Sequence, residues 1–279
     1  MKHTLSIRCD GGTIQTRQGT YDVASGHLMR MLNIARVWRA EGGDVNLVVN
    51  DKNRGTENIL HRFLEIGCKI SQTHSNESGT LEDAQEFSEL FASHHGDFAY
   101  IDGYHFNSDF QRYIHQRGIP FAMQVDANDQ GPYFADLIIG GHINAPSMHF
   151  DSLPNTTFLL GTPFALLDTS FASLNQLQRV TPQVATHLLV TLGASDQFMD
   201  TEKCLNGLLR LPRSPHADQW LSSLEIVTLV GATNNRLSQI RSVATALTKE
   251  RNVRINVIHD TRAIRDFMTW SDIAFSATG

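Results

Sequence analysis

The chain has 279 residues, 41% of them hydrophobic, and its 23 Lys and Arg against 29 Asp and Glu leave a formal net charge of −6. That length accommodates two domains, and basic residues that are both dispersed and outnumbered exclude a nucleic-acid binder. No apolar run is long enough for a signal peptide, since Arg8 interrupts the first one, or for a membrane span; the lone cysteines Cys9, Cys68 and Cys204, in neither metal-ligand nor redox spacing, predict a reducing cytoplasm.

In chain order, Leu5, Ile7 and Cys9 alternate with polar residues in a short strand that ends at Asp10. About fifteen residues of polar loop follow, long for a strand-to-helix connection and typical of a ligand-binding loop. Leu28, Met31, Leu32 and Ala35 recur at helical spacing and predict a helix over 26–40, with Ser25 as its N-cap and Gly42-Gly43 as its stop. A strand at 45–49 completes a β-α-β unit, the building block of a parallel sheet. Ile59, Leu60, Phe63 and Leu64 predict a helix ended by Gly67, and Thr80 with Asp83 resembles a capping box for a helix carrying Phe87, Leu90 and Phe91. Next come a buried-type strand at 98–101 closed by Asp102-Gly103-Tyr104, a helix at 108–116, a strand at 121–125 ending at Asp126, and a strand at 137–139 that runs into Gly140-Gly141-His142-Ile143-Asn144.

The polar segment 173–186, with Pro182, predicts a linker. Beyond it a buried strand at 187–192 opens into Gly193-Ala194-Ser195-Asp196, where small residues let backbone N–H groups approach a phosphate. Strand 226–230, helix 235–248, strand 253–258, helix 262–270 and strand 273–275 follow, and the chain stops at Ser276-Ala277-Thr278-Gly279. The prediction is an α/β chain of two Rossmann-like domains facing a cleft, 1–175 and 186–279, with ligands at the carboxyl ends of the strands. A nicotinamide dehydrogenase does not fit: the first strand-to-helix turn lacks Gly-x-Gly-x-x-Gly, and Asn50 rather than an acid ends the second strand.

His27 falls in the first turn of the first helix, where unpaired backbone N–H groups favour a neutral imidazole able to act as a base. Alone, such a histidine reads as a cap or a solvent-facing residue. Its surroundings change that reading. Ile7-Arg8-Cys9-Asp10 followed by Ser25-Gly26-His27-Leu28-Met29-Arg30 resembles the N-terminal signature of the pseudaminic-acid pathway UDP-sugar hydrolases and the related spore-coat polysaccharide proteins, Arg-x-Asp followed by Gly-x-Gly-His-x-x-Arg. Further resemblances follow in the same order: Ile101-Asp102-Gly103-Tyr104, Val125-Asp126, Ala135-Asp136-Leu137, His142-Ile143-Asn144, Gly161 with Phe164, Leu192 to Asp196, and Ser276 to Gly279.

The resemblance implies a GT-B-like fold and hydrolysis of UDP-2,4-diacetamido-2,4,6-trideoxy-β-L-altropyranose to UDP and free sugar, without a metal or other cofactor. It implies that the first domain holds the sugar and the attacking water, with His27 as base and Asp10, Gly26 and Tyr104 near the sugar. The second domain then holds UDP through Gly193, Ser195, Ser276, Thr278 and Gly279. Family members continue past the Ser-Ala-Thr-Gly strand end into a helix bearing a Glu for the ribose; here that segment is absent, so the second domain reads as incomplete, with weakened UDP binding and an uncovered sheet edge.

Other readings stay open at this level. A GT-B glycosyltransferase with a UDP-sugar donor and a non-catalytic nucleotide-sugar-binding remnant both fit the same motifs. Asp10, Asp102 and Asp126 also suit strand-end aspartates that cap turns, the reading preferred for Asp126. Tyr104 suits sheet-edge packing as well as a sugar contact, and Arg30 an exposed helix face as well as the site. His94, His95, His105 and His115 form no coherent metal-ligand pattern and read as a solvated helix end. No sequence feature bears on oligomeric state.

Overall fold

The computed structural model describes residues 2–23, 25–128, 130–193, 196 and 198–277, and the chain divides into two compact units, Met1–Thr169 and Ser170–Gly279. The first unit runs β1 (Thr4–Cys9), β2 (Thr13–Thr16), β3 (Gly19–Asp22), α1 (Gly26–Ala40), β4 (Asp44–Asn50), α2 (Glu57–Glu65), β5 (Lys69–Thr73), α3 (Leu81–Ser93), β6 (Phe98–Asp102), α4 (Ser108–Gln116), β7 (Phe121–Gln124), β8 (Leu137–Gly140) and β9 (Thr157–Leu160). Seven strands form one parallel sheet in the order β5-β4-β1-β6-β7-β8-β9.

The order reverses between β1 and β6, the point where open α/β sheets bind ligands. Two cores cover the two faces. Leu28, Met31, Leu32 and Ala35 of α1 and Phe63 of α2 pack on Leu5, Ile7 and Cys9. Phe87 and Phe91 of α3 and Phe110 and Ile114 of α4 pack with Val48, Ile101 and Met123. Because β1 is covered on both sides, its second face is a buried polar stripe of Ser6 and Arg8, continued by Asp10.

The expected long loop after β1 is not irregular throughout. It holds an antiparallel hairpin of β2 and β3, tied down by Thr13 N–H to the Arg54 carbonyl at 3.0 Å and Ser78 N–H to the Gln15 carbonyl at 2.9 Å. Ser25 occupies the N-cap position of α1 without a side-chain bond, because its φ of −107° and ψ of 4° are not the extended backbone that aims a cap inward. Thr80 does cap α3, accepting from Asp83 N–H.

The second unit runs β10 (His187–Thr191), α5 (Asp200–Leu209), α6 (Pro215–Ser223), β11 (Glu225–Val230), α7 (Leu237–Arg251), β12 (Arg254–His259), α8 (Ile264–Trp270) and β13 (Ile273–Ser276). Its parallel sheet has the order β12-β11-β10-β13, so β10 repeats the central position of β1. Leu188, Val190, Leu205, Ile226, Ile240 and Leu247 make its main core, while Ile273 and Phe275 of β13 stay half-exposed. Turns of 3-10 helix at Thr169–Gln176 occupy the start of the expected linker. Among the described residues no helix is long and apolar enough to cross a membrane.

Candidate active site

The carboxyl ends of β1, β6 and β7 converge on the first turn of α1. Cys9 and Asp102 are register partners, which sets Asp102 beside Asp10, the residue that follows Cys9. His27 Nδ1 lies 2.8 Å from Asp102 Oδ1, with side-chain exposures of 7% and 0%. Arg30, one turn on, grips the same carboxylate twice: Nε–H donates to Oδ2 and Nη2–H to Oδ1, both at 2.6 Å. Its Nη1–H donates to Asp126 Oδ1 at 2.7 Å, and the Tyr104 hydroxyl donates to Asp126 Oδ2 at 3.0 Å. The Tyr104 ring meets His27 edge-on, centroids 4.7 Å apart.

The hydrogen bonds fix the imidazole tautomer. A carboxylate oxygen 2.8 Å from Nδ1 requires a proton between them. Arg30 Nη2, 3.0 Å from Nδ1, gives one of its two protons to Asp102 and meets no acceptor in an Nδ1 that carries its own proton. Nδ1 therefore donates, and Nε2, which has no partner among the described residues, keeps its lone pair for another proton. This is the arrangement of a base oriented by a buried carboxylate.

Electrostatics hold the surrounding groups in fixed ionisation states. Burial opposes the Arg30 charge, but the bonds and charges of Asp102 and Asp126 outweigh it and raise its pKa. Burial likewise works against the Asp126 carboxylate, which Arg30 and the Tyr104 hydroxyl nonetheless hold below its ordinary value. Tyr104 is pushed up to about 12, by burial first and then by the Asp126 charge.

A second polar cluster lies beside the first. Arg8 is fully buried and donates to Asp83 from Nε at 3.1 Å and Nη2 at 2.9 Å, and to Asp10 Oδ1 from Nη1 at 2.8 Å. Asp10 Oδ1 also accepts from Asn50 N–H at 2.9 Å and Asn53 Nδ2 at 2.6 Å, and Oδ2 takes His105 Nε2 at 3.0 Å. Burial opposes ionisation of Asp10, yet Arg8 and the His105 bond hold its carboxyl well below the usual range. Gly79 lets His105 approach: its φ is +76° and a Cβ there would come 2.1 Å from the His105 carbonyl oxygen. Gly79→Ala is expected to cost about 2–4 kcal/mol of stability, from overpacking and the left-handed backbone together, as read by chemical denaturation.

The structure thus brings His27, Tyr104 and Asp10 to one sheet edge, with Gly26 opening α1 immediately before His27. Asp10 sits there without an accessible oxygen. Two readings are corrected. Asp126 takes its side-chain partners from Arg30 and Tyr104 rather than capping its own turn, and His105 is no solvated helix end, with a side chain only 8% exposed and bound to Asp10. Of the readings left open, Asp102 takes its partners from α1 and Arg30 turns into the site. The sequence signal for Arg30 was its spacing from His27, since positions three apart share a helix face.

In the second unit, Gly193 follows β10 with φ +86° and Ser276 closes β13. Asp196 caps α5, accepting from Asp200 N–H at 2.8 Å and Thr201 N–H at 3.0 Å. Ser195, Thr278 and Gly279 lie outside the described residues. Among the described residues no three of His, Cys, Asp and Glu are grouped to hold a metal ion.

No family model matches the chain, and no curated protein sequence matches it. Solved structures do. MurG of Acinetobacter baumannii aligns with a TM-score of 0.58 at 11% identity, over 99% of this chain and 71% of that one. A glycosyltransferase from Rickettsia africae aligns at 0.56 and 10% identity, over 99% and 73%. Anabaena Alr3699/HepE, solved with UDP and glucose, aligns at 0.53 and 10% identity, over 98% and 73%. The likeness gives this chain a GT-B-like α/β fold with two Rossmann-like units.

Proposed function

We propose that the chain is an enzyme acting on a UDP-sugar, with His27 taking the proton of the hydroxyl group that attacks the anomeric carbon. The observation that carries this reading is the Asp102-oriented imidazole clamped by Arg30 at the strand-order reversal. The attacking O–H gives its proton to Nε2, the new C–O bond forms at the anomeric carbon, and the bond to the diphosphate breaks with its electron pair leaving on UDP. Asp102 stabilises the imidazolium so formed, and Arg30 holds Asp102 in place.

Transfer to an acceptor alcohol is the form of this reading supported by the likeness to the Rickettsia africae glycosyltransferase and to the Anabaena protein solved with UDP and glucose. The ordered motif set from Arg8 to Gly279 supports water as acceptor instead, which makes the chain a UDP-2,4-diacetamido-2,4,6-trideoxyhexose hydrolase. UDP belongs in either case to the second unit, at Gly193, Ser195, Ser276, Thr278 and Gly279, and the sugar to the first.

Product analysis with and without candidate acceptors separates the two. UDP release that requires an acceptor and yields a glycoside is the expected result. Release of UDP and free sugar in water alone identifies a hydrolase. UDP-sugar binding without turnover under all conditions would leave a binding remnant and overturn the catalytic reading.

A further inference from the structure

We infer that His105 is a substrate-binding residue, taking a hydroxyl group of the sugar through Nδ1, and that Asp10 is the positioning residue that aims it. This rests on the UDP-sugar reading above. It moves the contact from Asp10, where sequence resemblance put it, to the group Asp10 holds. Asp10 is 1% exposed; Oδ1 already accepts from Arg8, Asn50 and Asn53 and Oδ2 from His105. A sugar hydroxyl finds no exposed carboxylate oxygen to reach there.

His105 has what Asp10 lacks. Its Nε2 is committed to Asp10, while Nδ1 has no partner among the described residues and is not among the sealed, unpartnered polar atoms. The ring is held on several sides: by Asp10, by the Phe106 ring at 4.1 Å, and by Gly103, where a Cβ would come 2.7 Å from His105 Cε1. A nitrogen so fixed loses little freedom when it binds. It also follows directly on Tyr104, whose ring lies against His27, so one strand-end loop supplies both contacts.

The chemistry of the cluster selects a hydroxyl over a phosphate. Arg8 faces two buried carboxylates, Asp10 and Asp83, leaving no cation in excess for a diphosphate. A hydroxyl both donates and accepts, so it pairs with Nδ1 whichever proton state the ring holds.

The test uses His105→Gln, whose amide N–H can replace Nε2–H on Asp10 while offering nothing at Nδ1. Calorimetric titrations with UDP, UDP-glucose and UDP-N-acetylglucosamine are run on the native chain and the variant. The expected result is a native melting curve, unchanged UDP affinity and UDP-sugar affinity lowered by between about 3- and 10-fold, the worth of one hydrogen bond. Asp10→Asn should show the same sugar-specific loss and lose the downfield imidazole N–H resonance of His105. In the native chain the 15N resonance of His105 Nδ1 should shift with a UDP-sugar and not with UDP, a readout that holds if a variant fails to fold. Equal UDP-sugar affinity in native and His105→Gln chains, or no shift at Nδ1, overturns the inference and leaves the UDP-sugar reading intact. A native chain that binds none of the three ligands overturns that reading, and this inference with it.

Discussion

Arg8→Met is expected to destabilise the amino-terminal unit by about 3–5 kcal/mol, the usual cost of removing one partner from a buried ion pair. Arg8 and both its carboxylates have no exposed side-chain surface, so neither Asp10 nor Asp83 can recover its lost partner from water. Urea unfolding followed through Trp38, with Trp220 and Trp270 replaced by Phe, reads this unit alone. Adding Asp83→Asn should return part of the loss, because it removes one of the two stranded charges. A loss under about 1 kcal/mol would mean that the guanidinium is not carrying these carboxylates. The pH dependence has a defined sign. Asp10 ionises below its ordinary value in the folded chain, so its contribution is complete above the unfolded value of about 3.9 and drains as pH falls through the lower native value. The gap between native and Arg8→Met stabilities should therefore be widest near neutrality and narrow as pH falls toward about 3.

On the proposed reading, His27→Asn should lower turnover of the UDP-sugar by about 10²–10⁴-fold with little change in KM, the range a positioned general base supplies. Asn is chosen because its amide N–H can take the place of Nδ1–H on Asp102, so the Arg30 clamp persists while Nε2 is lost. Residual activity is expected, since transition-state stabilisation elsewhere in the site survives. Turnover within about threefold of native would remove His27 from the chemistry. Asp102→Asn tests the orientation argument separately: with the tautomer no longer enforced, turnover should fall while ligand binding holds.

Much of the fold was legible because its central elements obey strong local rules. The apolar runs at 45–49 and 98–101 and the four residues of α1 at helical spacing could only be buried, and Gly42 could only end a helix with its φ of +87°. What escaped was polar or short. β5 reads Lys-Ile-Ser-Gln-Thr and is a sheet edge, so its periodicity carries little apolar signal. β9 is the opposite edge, and β2 and β3 are four-residue strands whose order comes from anchoring to Arg54 and Ser78. α5 and α6 were also missed, since their buried faces rest on few residues: Leu205 and Leu208 in one, Leu221 in the other.

The site was legible in part. Alternation in β1 read as apolar residues between polar ones; a sheet covered on both sides buries the polar ones as the Arg8 stripe. Strand-end aspartates were visible, but their partners were not, because which carboxylate meets which cation is decided by sheet order. A single chain states that order only weakly.

That separation has a consequence for how the site comes into being. Arg30 meets Asp102 and Asp126 across 72 and 96 residues, and β1 pairs with β6 although the β2–β3 hairpin, α1, β4, α2, β5 and α3 all lie between them in the chain. On a growing chain made at about 5–20 residues per second, the imidazole of His27 waits several seconds in water before its carboxylate exists. No early fragment can hold a half-formed version of this site, because the loops to be closed are long and the reward arrives only when β6 and β7 join the sheet. Competence therefore switches on with assembly of the sheet, not gradually during synthesis.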